Sequence, residues 1–252
     1  MQIIIPMSGV GKRFKDKGYS LNKYLLEIQG KTIIEKIISN FDIRNDLFIF
    51  ISNTEDYKKN NLNDLFVGLK INYKYISIDT HKLGPVYTIL ESIKYIDLNL
   101  PTIVNYCDFF WKWDYENFKY AMKEYDGGIV VYKGFHPHLI HENLYAGVKT
   151  NDKNELVEIK EKYSYTKDKM DTWQSSGTYY FRDGNILIKY SKELIQRNIK
   201  CRDEYYASLI YNLLKQDGLI TKIYEIPYFL QLGTPNDYEE YKYRETIFNP
   251  TN

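Results

Sequence analysis

The chain of 252 residues reads as a single α/β domain, a mixed sheet with helices packed against it, and three observations carry that reading. Through the first half, apolar runs of strand length alternate with stretches of helical periodicity, the order a parallel, doubly wound sheet needs. Beyond residue 126 the runs shorten and follow one another with polar turns between them, so the later strands adjoin each other more directly. The third observation is the start. Ile3, Ile4 and Ile5 form a continuous apolar run too short for a helix, as in a central parallel strand, and it passes directly into a glycine-bearing basic loop.

That loop, Pro6-Met7-Ser8-Gly9-Val10-Gly11-Lys12-Arg13, is followed by Asn22-Lys23-Tyr24-Leu25. Gly9 and Gly11 allow backbone amides to turn toward a ligand with no Cβ in the way, which makes a nest for an anion. Lys12, Arg13 and Lys23 surround it with positive charge, so the expected ligand is a polyphosphate. Two common phosphate loops are excluded by spacing. A dinucleotide fingerprint needs a glycine where Phe14 stands, and a Walker loop needs a glycine at Pro6 and a hydroxyl residue at Arg13.

The elements follow in order. Thr32 with Glu35 is a capping box, and Ile33, Ile34, Ile37, Ile38 and Phe41 recur at helical spacing, predicting a helix over residues 32–42. Leu47 to Ser52 is a second buried strand, residues 54–66 a polar helix, and Ile71 to Ile78 a third strand. Residues 86–97 read as helix, and Pro101 to Tyr106 is a fourth strand ending at Cys107-Asp108. Short strands then span Gly127 to Tyr132, Tyr145 to Lys149, Leu156 to Lys160 and Thr178 to Phe181. A helix over 203–216 buries Tyr206, Leu209, Ile210, Leu213 and Leu214, and another follows Pro235.

Composition narrows the partners. Thirty-four basic against 33 acidic side chains leave no basic field to attract nucleic acid. No apolar stretch approaches the roughly 20 residues of a membrane span, and neither a membrane partner nor a signal peptide is expected. Cys107 and Cys201 do not make a disulfide framework, which fits a reducing cytoplasm.

Ligands of open parallel sheets lie beyond the carboxyl ends of the strands. That rule sets the basic loop, the turn Thr80-His81-Lys82-Leu83-Gly84-Pro85 and Asp108 along one crevice. An aspartate directly after a buried strand needs a partner, and a divalent cation is the natural one; Asp114 reads as a helix cap. His136, His138 and His141 cluster without the further ligands that would complete a metal site, which leaves acceptor contacts or a plain loop as their roles.

The segments Gly9-Val10-Gly11, Arg13 and Lys23, then Asp108, Tyr145-Ala146-Gly147-Val148, Leu156 to Lys162, Ser176 to Phe181 and Leu230 to Tyr238 resemble, in order, those of the sugar nucleotidylyltransferases. The resemblance runs from Met1 to about Tyr238, with Lys12 in place of the usual hydroxyl residue and Asn22 in place of a proline. It implies a Rossmann-like, mostly parallel sheet of the nucleotide-diphospho-sugar transferase type. Residues 1–126 form its nucleotide-binding half, residues 127–238 its acceptor-binding half, and residues 239–252 a tail.

It also implies an NTP and a phosphorylated small molecule as partners, and it leaves a homo-oligomer of the chain open. Pro6, Met7, Ser8, Gly9, Gly11, Lys12, Thr80, Gly84 and Pro85 would bind the nucleotide, and Arg13, Lys23, Asp108 and Lys162 would act in catalysis. Gly147, Glu161 and Gly177 would meet the acceptor. Asp108 would hold Mg²⁺, and Gln231 stands where the family has a second metal-binding aspartate. The products would be nucleotide-linked compounds of the kind used for surface polysaccharides. Two other readings stay open: a glycosyltransferase, although Asp108-Phe109-Phe110 lacks a second aspartate, and a catalytically weak relative, suggested by Gln231.

Overall fold

The structure, a computed structural model, describes residues 1–60, 62–141 and 145–248. The chain opens with β1 (Gln2–Pro6) and α1 (Lys12–Asp16), then a 3-10 turn at Lys23–Leu25. A ribbon of β2 (Glu27–Ile28) and β3 (Lys31–Thr32) leads to α2 (Ile33–Ile38), β4 (Leu47–Asn53), α3 (Thr54–Lys59), α4 (Leu62–Gly68) and β5 (Asn72–Ile78). Next come α5 (Pro85–Glu91), β6 (Thr102–Asn105), β7 (Phe109–Lys112) and α6 (Tyr115–Met122). The second half holds β8 (Gly127–Tyr132), α7 (His138–His141), β9 (Ala146–Thr150), β10 (Leu156–Glu161), β11 (Trp173–Phe181) and α8 (Gly184–Gln196). It ends with α9 (Ile210–Gln216), β12 (Thr221–Glu225), β13 (Tyr228–Gln231) and α10 (Pro235–Phe248).

Nine strands share one sheet along the path β10-β9-β11-β6-β1-β4-β5, with β8 on β11 and β12 on β8. From the pairings, β5, β4, β1, β6, β8, β12 and β9 point one way and β11 and β10 the other. The mixed, mostly parallel sheet is therefore present, and helices cover both faces. Strand alternation explains why both can be apolar. Ile3, Ile5, Phe48, Phe50 and Ile103 bury against α2 on one face. Ile4, Ile49, Ile51 and Val104 bury against α5, α8 and α9 on the other.

Local chemistry sets several ends as expected. Thr32 and Glu35 close a reciprocal capping box on α2, and Asp114 caps α6 by accepting from the Asn117 amide at 3.0 Å. Elsewhere the structure departs from the sequence reading. The helix expected over 54–66 is two helices, because Asn60 leaves helical geometry and its side chain donates to the Tyr24 hydroxyl at 3.1 Å. The helix expected over 203–216 begins only at residue 207, because residues 201–206 form a turn bonded to the chain at Leu83 and Val86. Helix α8 and strands β7, β12 and β13 were not expected. The chain beyond Tyr238, expected as a tail, continues α10 to Phe248.

Candidate functional site

The loop after β1 is held from below and open above. Met7 donates its amide to Ile51 at 2.8 Å, and Phe14 buries its ring against Tyr19 at a centroid distance of 5.3 Å. The bulky side chain that rules out a dinucleotide fingerprint thus anchors the loop. Gly11 takes φ +64°, and a Cβ at Gly9 or Gly11 would meet open space. Among the described residues no acceptor takes the amides of Ser8 through Arg13, and neither Lys12 nor Arg13 has a carboxylate partner. The side chains of Lys12 and Arg13 are exposed. This is a cluster of unclaimed donors and positive charge, as an anion site requires.

Lys23 faces this loop from its 3-10 turn. Asn22, at the position of the expected proline, donates to the Tyr24 hydroxyl at 2.8 Å and so shapes the turn by a side-chain bond. The Lys23 ammonium pairs with Asp108 at 2.8 Å, each side chain about a quarter exposed. Burial alone would lower the Lys23 pKa, but the charge of Asp108, with Cys107 and the hydrogen bond, outweighs it and raises the value, against a smaller opposing effect of Arg13. The partner that Asp108 needed is therefore an ammonium in this state. Cys107 beside it is buried, which pushes its thiol up to about 11 and makes it unreactive.

A two-stranded ladder carries the far wall. β13 pairs with β7 so that Gln231 lies opposite Phe109, and the Leu232 amide donates to the Asp108 carbonyl at 2.9 Å. Gly233 is close enough that a Cβ there would lie 3.2 Å from Asp108 Oδ2. Gln231, 5 % exposed, donates its Nε2 to Asp237 at 2.6 Å, and its Oε1 has no partner among the described residues. Asp237 also accepts from the Thr234 amide at 3.1 Å while Thr234 Oγ1 accepts the Asp237 amide, so the pair caps α10.

In the second half, Glu161 ends β10. Its carboxyl accepts from Ser208 Oγ, and burial pushes its pKa to about 7 against the pull of that bond and of Lys162. Glu161 is thus no part of a solvated charge run. Lys162 takes φ +53°, donates its amide to Tyr145 at 3.0 Å and carries its ammonium 5.6 Å from the Tyr206 ring centre, with no carboxylate paired to it among the described residues. At Gly147 a side chain would overlap the Tyr163 carbonyl, and at Gly177 (φ +93°) a Cβ would lie 2.7 Å from the Phe109 ring. Both glycines permit close packing of the chain where they stand. The two halves meet at Tyr179, whose hydroxyl is raised above its ordinary value by burial first, then by Glu161 and by Asp108.

The turn at 80–85 leaves Thr80 and Lys82 exposed, and Gly84 (φ +88°) precedes Pro85 at the start of α5. Leu83 and Val86 exchange backbone bonds with Tyr205 at 2.9 and 3.1 Å. The segment from Tyr205 to Ser208 then joins this turn to the ends of two further strands: Ala207 donates to the Tyr106 hydroxyl at 3.1 Å and Ser208 to Glu161. Sequence reasoning missed it, because its tyrosines fit a helical pattern. His136 and His138 pack around Phe229 and Tyr132. His138 Nε2 lies 2.8 Å from the Tyr132 hydroxyl, and burial, then His136, lowers its pKa to about 3. His138 is a buried, neutral residue and His136 a half-buried one beside it, its pKa also lowered by burial; the side chain of His141 lies outside the described ones.

No family model and no curated protein matches this sequence. Solved structures do. A nucleoside-diphosphate-sugar pyrophosphorylase from Vibrio cholerae RC9 aligns at 22 % identity over 95 % of this chain and 98 % of its own, with a TM-score of 0.78. An inositol-1-phosphate CTP transferase from T. maritima aligns at 16 % identity over 100 % and 97 %, with a TM-score of 0.70. A putative glucose-1-phosphate thymidylyltransferase from Bacillus anthracis aligns at 16 % identity over 100 % and 96 %, with a TM-score of 0.73. The basic loop and the β7–β13 ladder thus belong to a chain that has, from end to end, the fold of these nucleotidyl-transferring enzymes.

Proposed function

We propose that the chain is a nucleotidylyltransferase: an NTP and a phosphorylated small molecule give an NDP-linked product and pyrophosphate. The observation that carries this is the loop at residues 8–13, whose amides and cations have no partner among the described residues, facing the Lys23–Asp108 pair across the carboxyl end of β1. Arg13 and the amides from Gly9 to Gly11 hold the β- and γ-phosphates, and Lys23 turns from Asp108 to the α-phosphate. A phosphate oxygen of the acceptor attacks the α-phosphorus; that P–O bond forms as the bond to the β-phosphate breaks. The nucleophile is already an anion, so catalysis is positioning and charge neutralisation with no proton transfer.

Lys162 screens the incoming phosphate. Glu161, held by Ser208, accepts a hydroxyl of the acceptor. The residues fit a magnesium ion carried by the nucleotide. Asp108 supplies one carboxylate and Gln231 an unpartnered amide oxygen on the adjoining ladder, and Mg²⁺ suits one or two protein oxygens completed by substrate phosphates. Such an ion would neutralise charge on the donor phosphates. Among the described residues no cluster of three or more His, Cys, Asp or Glu could hold a metal by itself.

The two free cysteines and the need for an NTP point to the cytoplasm, with a product of the kind consumed in surface polysaccharide synthesis. Among the described residues no helix is long and apolar enough to cross a membrane. The test is pyrophosphate release over a matrix of four NTPs and a panel of phosphorylated sugars, alcohols and amino acids with Mg²⁺. One productive pair that Arg13→Ala abolishes would support the reading. Silence across the matrix, with tight NTP binding retained, would favour a non-catalytic relative.

A further inference from the structure

The loops at residues 7–13 and 80–85 follow different strands, yet an unbroken chain of hydrogen bonds joins them, and His81 stands at its outer end. His81 Nδ1 accepts from the Leu83 amide at 3.1 Å, and its Nε2 lies 3.0 Å from Thr88 Oγ1. Thr88 Oγ1 lies in turn 2.6 Å from Ser8 Oγ and 3.3 Å from the Gly84 carbonyl. The Ser8 carbonyl then accepts from Asn53 Nδ2 at 3.1 Å, and Asn53 caps α3. Thr88 and Ser8 are 1 % and 5 % exposed, so water offers little competition.

Proton accounting leaves one arrangement. An amide can only donate, so Nδ1 carries no proton and the neutral ring must carry it on Nε2. Nε2–H then donates to Thr88. A hydroxyl has two lone pairs and one proton; Thr88 accepts from His81 and Ser8 and gives its own proton to Gly84. Every position is used, so the ring has nothing to offer a nucleobase. An imidazolium would set Nδ1–H against the Leu83 amide, two donors facing each other, and the chain would open there.

Resting on the nucleotidylyltransferase reading, we propose that His81 is a positioning residue: as the neutral Nε2–H tautomer it locks the base-side loop to the triphosphate loop, leaving Thr80 and Lys82 as the side chains free to read the base. The titratable groups around the ring are Tyr87, whose ring centroid lies 4.8 Å away, and Glu91 on α5, Asp79 and Lys82 beside it, and Glu204 on the segment packed against Gly84. Burial lowers the His81 pKa and outweighs the opposing pull of Glu91, which favours the neutral ring near pH 7.

Imidazole nitrogen NMR on the free full chain reads the tautomer directly and needs no turnover. The expected result is a protonated Nε2 with a bare Nδ1; the opposite tautomer overturns the proposal. Calorimetric titration of the Mg–NTP that gives the most pyrophosphate release then compares wild type with His81→Asn. Asparagine can still accept from the Leu83 amide but cannot reach Thr88. Loss of one partly buried hydrogen bond should weaken NTP binding roughly three- to tenfold at pH 7.5, leave kcat within about twofold, and abolish the fall in affinity on acidification that the wild type should show. Equal affinity and an unchanged acid limb in the variant would refute the role of His81 alone. A wild-type chain that binds no nucleotide would refute the functional reading, and this role with it.

Discussion

Replacing Asp108 by asparagine removes one charge from the crevice while keeping the side-chain shape and the backbone bond from Leu232. Two effects of different size should follow. The first is on stability, because Lys23 at 2.8 Å loses its counter-ion. Two unit charges near 4 Å interact by about 4 kcal/mol at an effective dielectric of about 20, before desolvation is subtracted. Measured exposed pairs are worth about 0–1 kcal/mol, whereas breaking a buried pair costs about 3–5 kcal/mol. Both side chains are about a quarter exposed, so the loss should lie between these, about 1–2 kcal/mol, or roughly 2–8 °C in Tm for a chain of this size. The second effect is on catalysis. A charge aimed at the reacting phosphates in a water-poor site is worth on the order of 10²–10³ in rate. Circular dichroism melts and pyrophosphate release at saturating Mg–NTP separate the two. Turnover within threefold of wild type, with the predicted loss of stability, would remove Asp108 from the mechanism. Turnover that falls only as far as the folded fraction falls would do the same.

Gly147→Ala should lower stability by about 1–3 kcal/mol, since the new methyl must displace the Tyr163 carbonyl; an unchanged melt would show that the strand yields freely there. Glu161→Gln should flatten the dependence of stability on pH. Glu161 has a folded pKa of about 7 against an ordinary 4.5, so the wild type loses stability as pH rises between those values, and the variant should gain on it by up to about 3 kcal/mol at pH 8 and by nothing below pH 4.5. Melts of the two proteins that differ equally at both pH values would contradict the buried carboxyl. Gln231→Glu sets a carboxylate against Asp237 where an amide now donates at 2.6 Å, and should cost roughly 1–3 kcal/mol without metal. Millimolar Mg²⁺ should raise the Tm of this variant more than that of wild type; an equal response would separate Gln231 from the metal.

Features written in consecutive residues were legible in the sequence. The buried run Ile3 to Ile5, the glycines that follow, the capping box at Thr32 and Glu35, and Asp108 at the end of its strand each depend on neighbours a few positions away. The expected helix over 203–216 failed for the opposite reason. Its tyrosines have helical spacing, but the Tyr205 backbone bonds at Leu83 and Val86, far off in the chain, override that periodicity. Strands β7 and β13 went unread because their aromatic runs do not alternate with polar residues and each is completed only by the other. Helix α8 did carry its signal, with Asp183 as N-cap and Ile186, Leu187, Tyr190 and Leu194 buried at helical spacing.

The sequence by itself determined the mixed, mostly parallel character of the sheet, the open cationic loop and the identity of the charged groups, because burial periodicity and glycine conformation are local properties of the chain. Tertiary structure alone decided which charges meet. Lys23 found Asp108 across 85 positions, Ser208 found Glu161 across 47, and Ser8 was tied to His81 through Thr88. A hydrogen bond acts over about 3 Å and depends on direction, so such pairings exist only after the strands have fixed where each loop begins and ends.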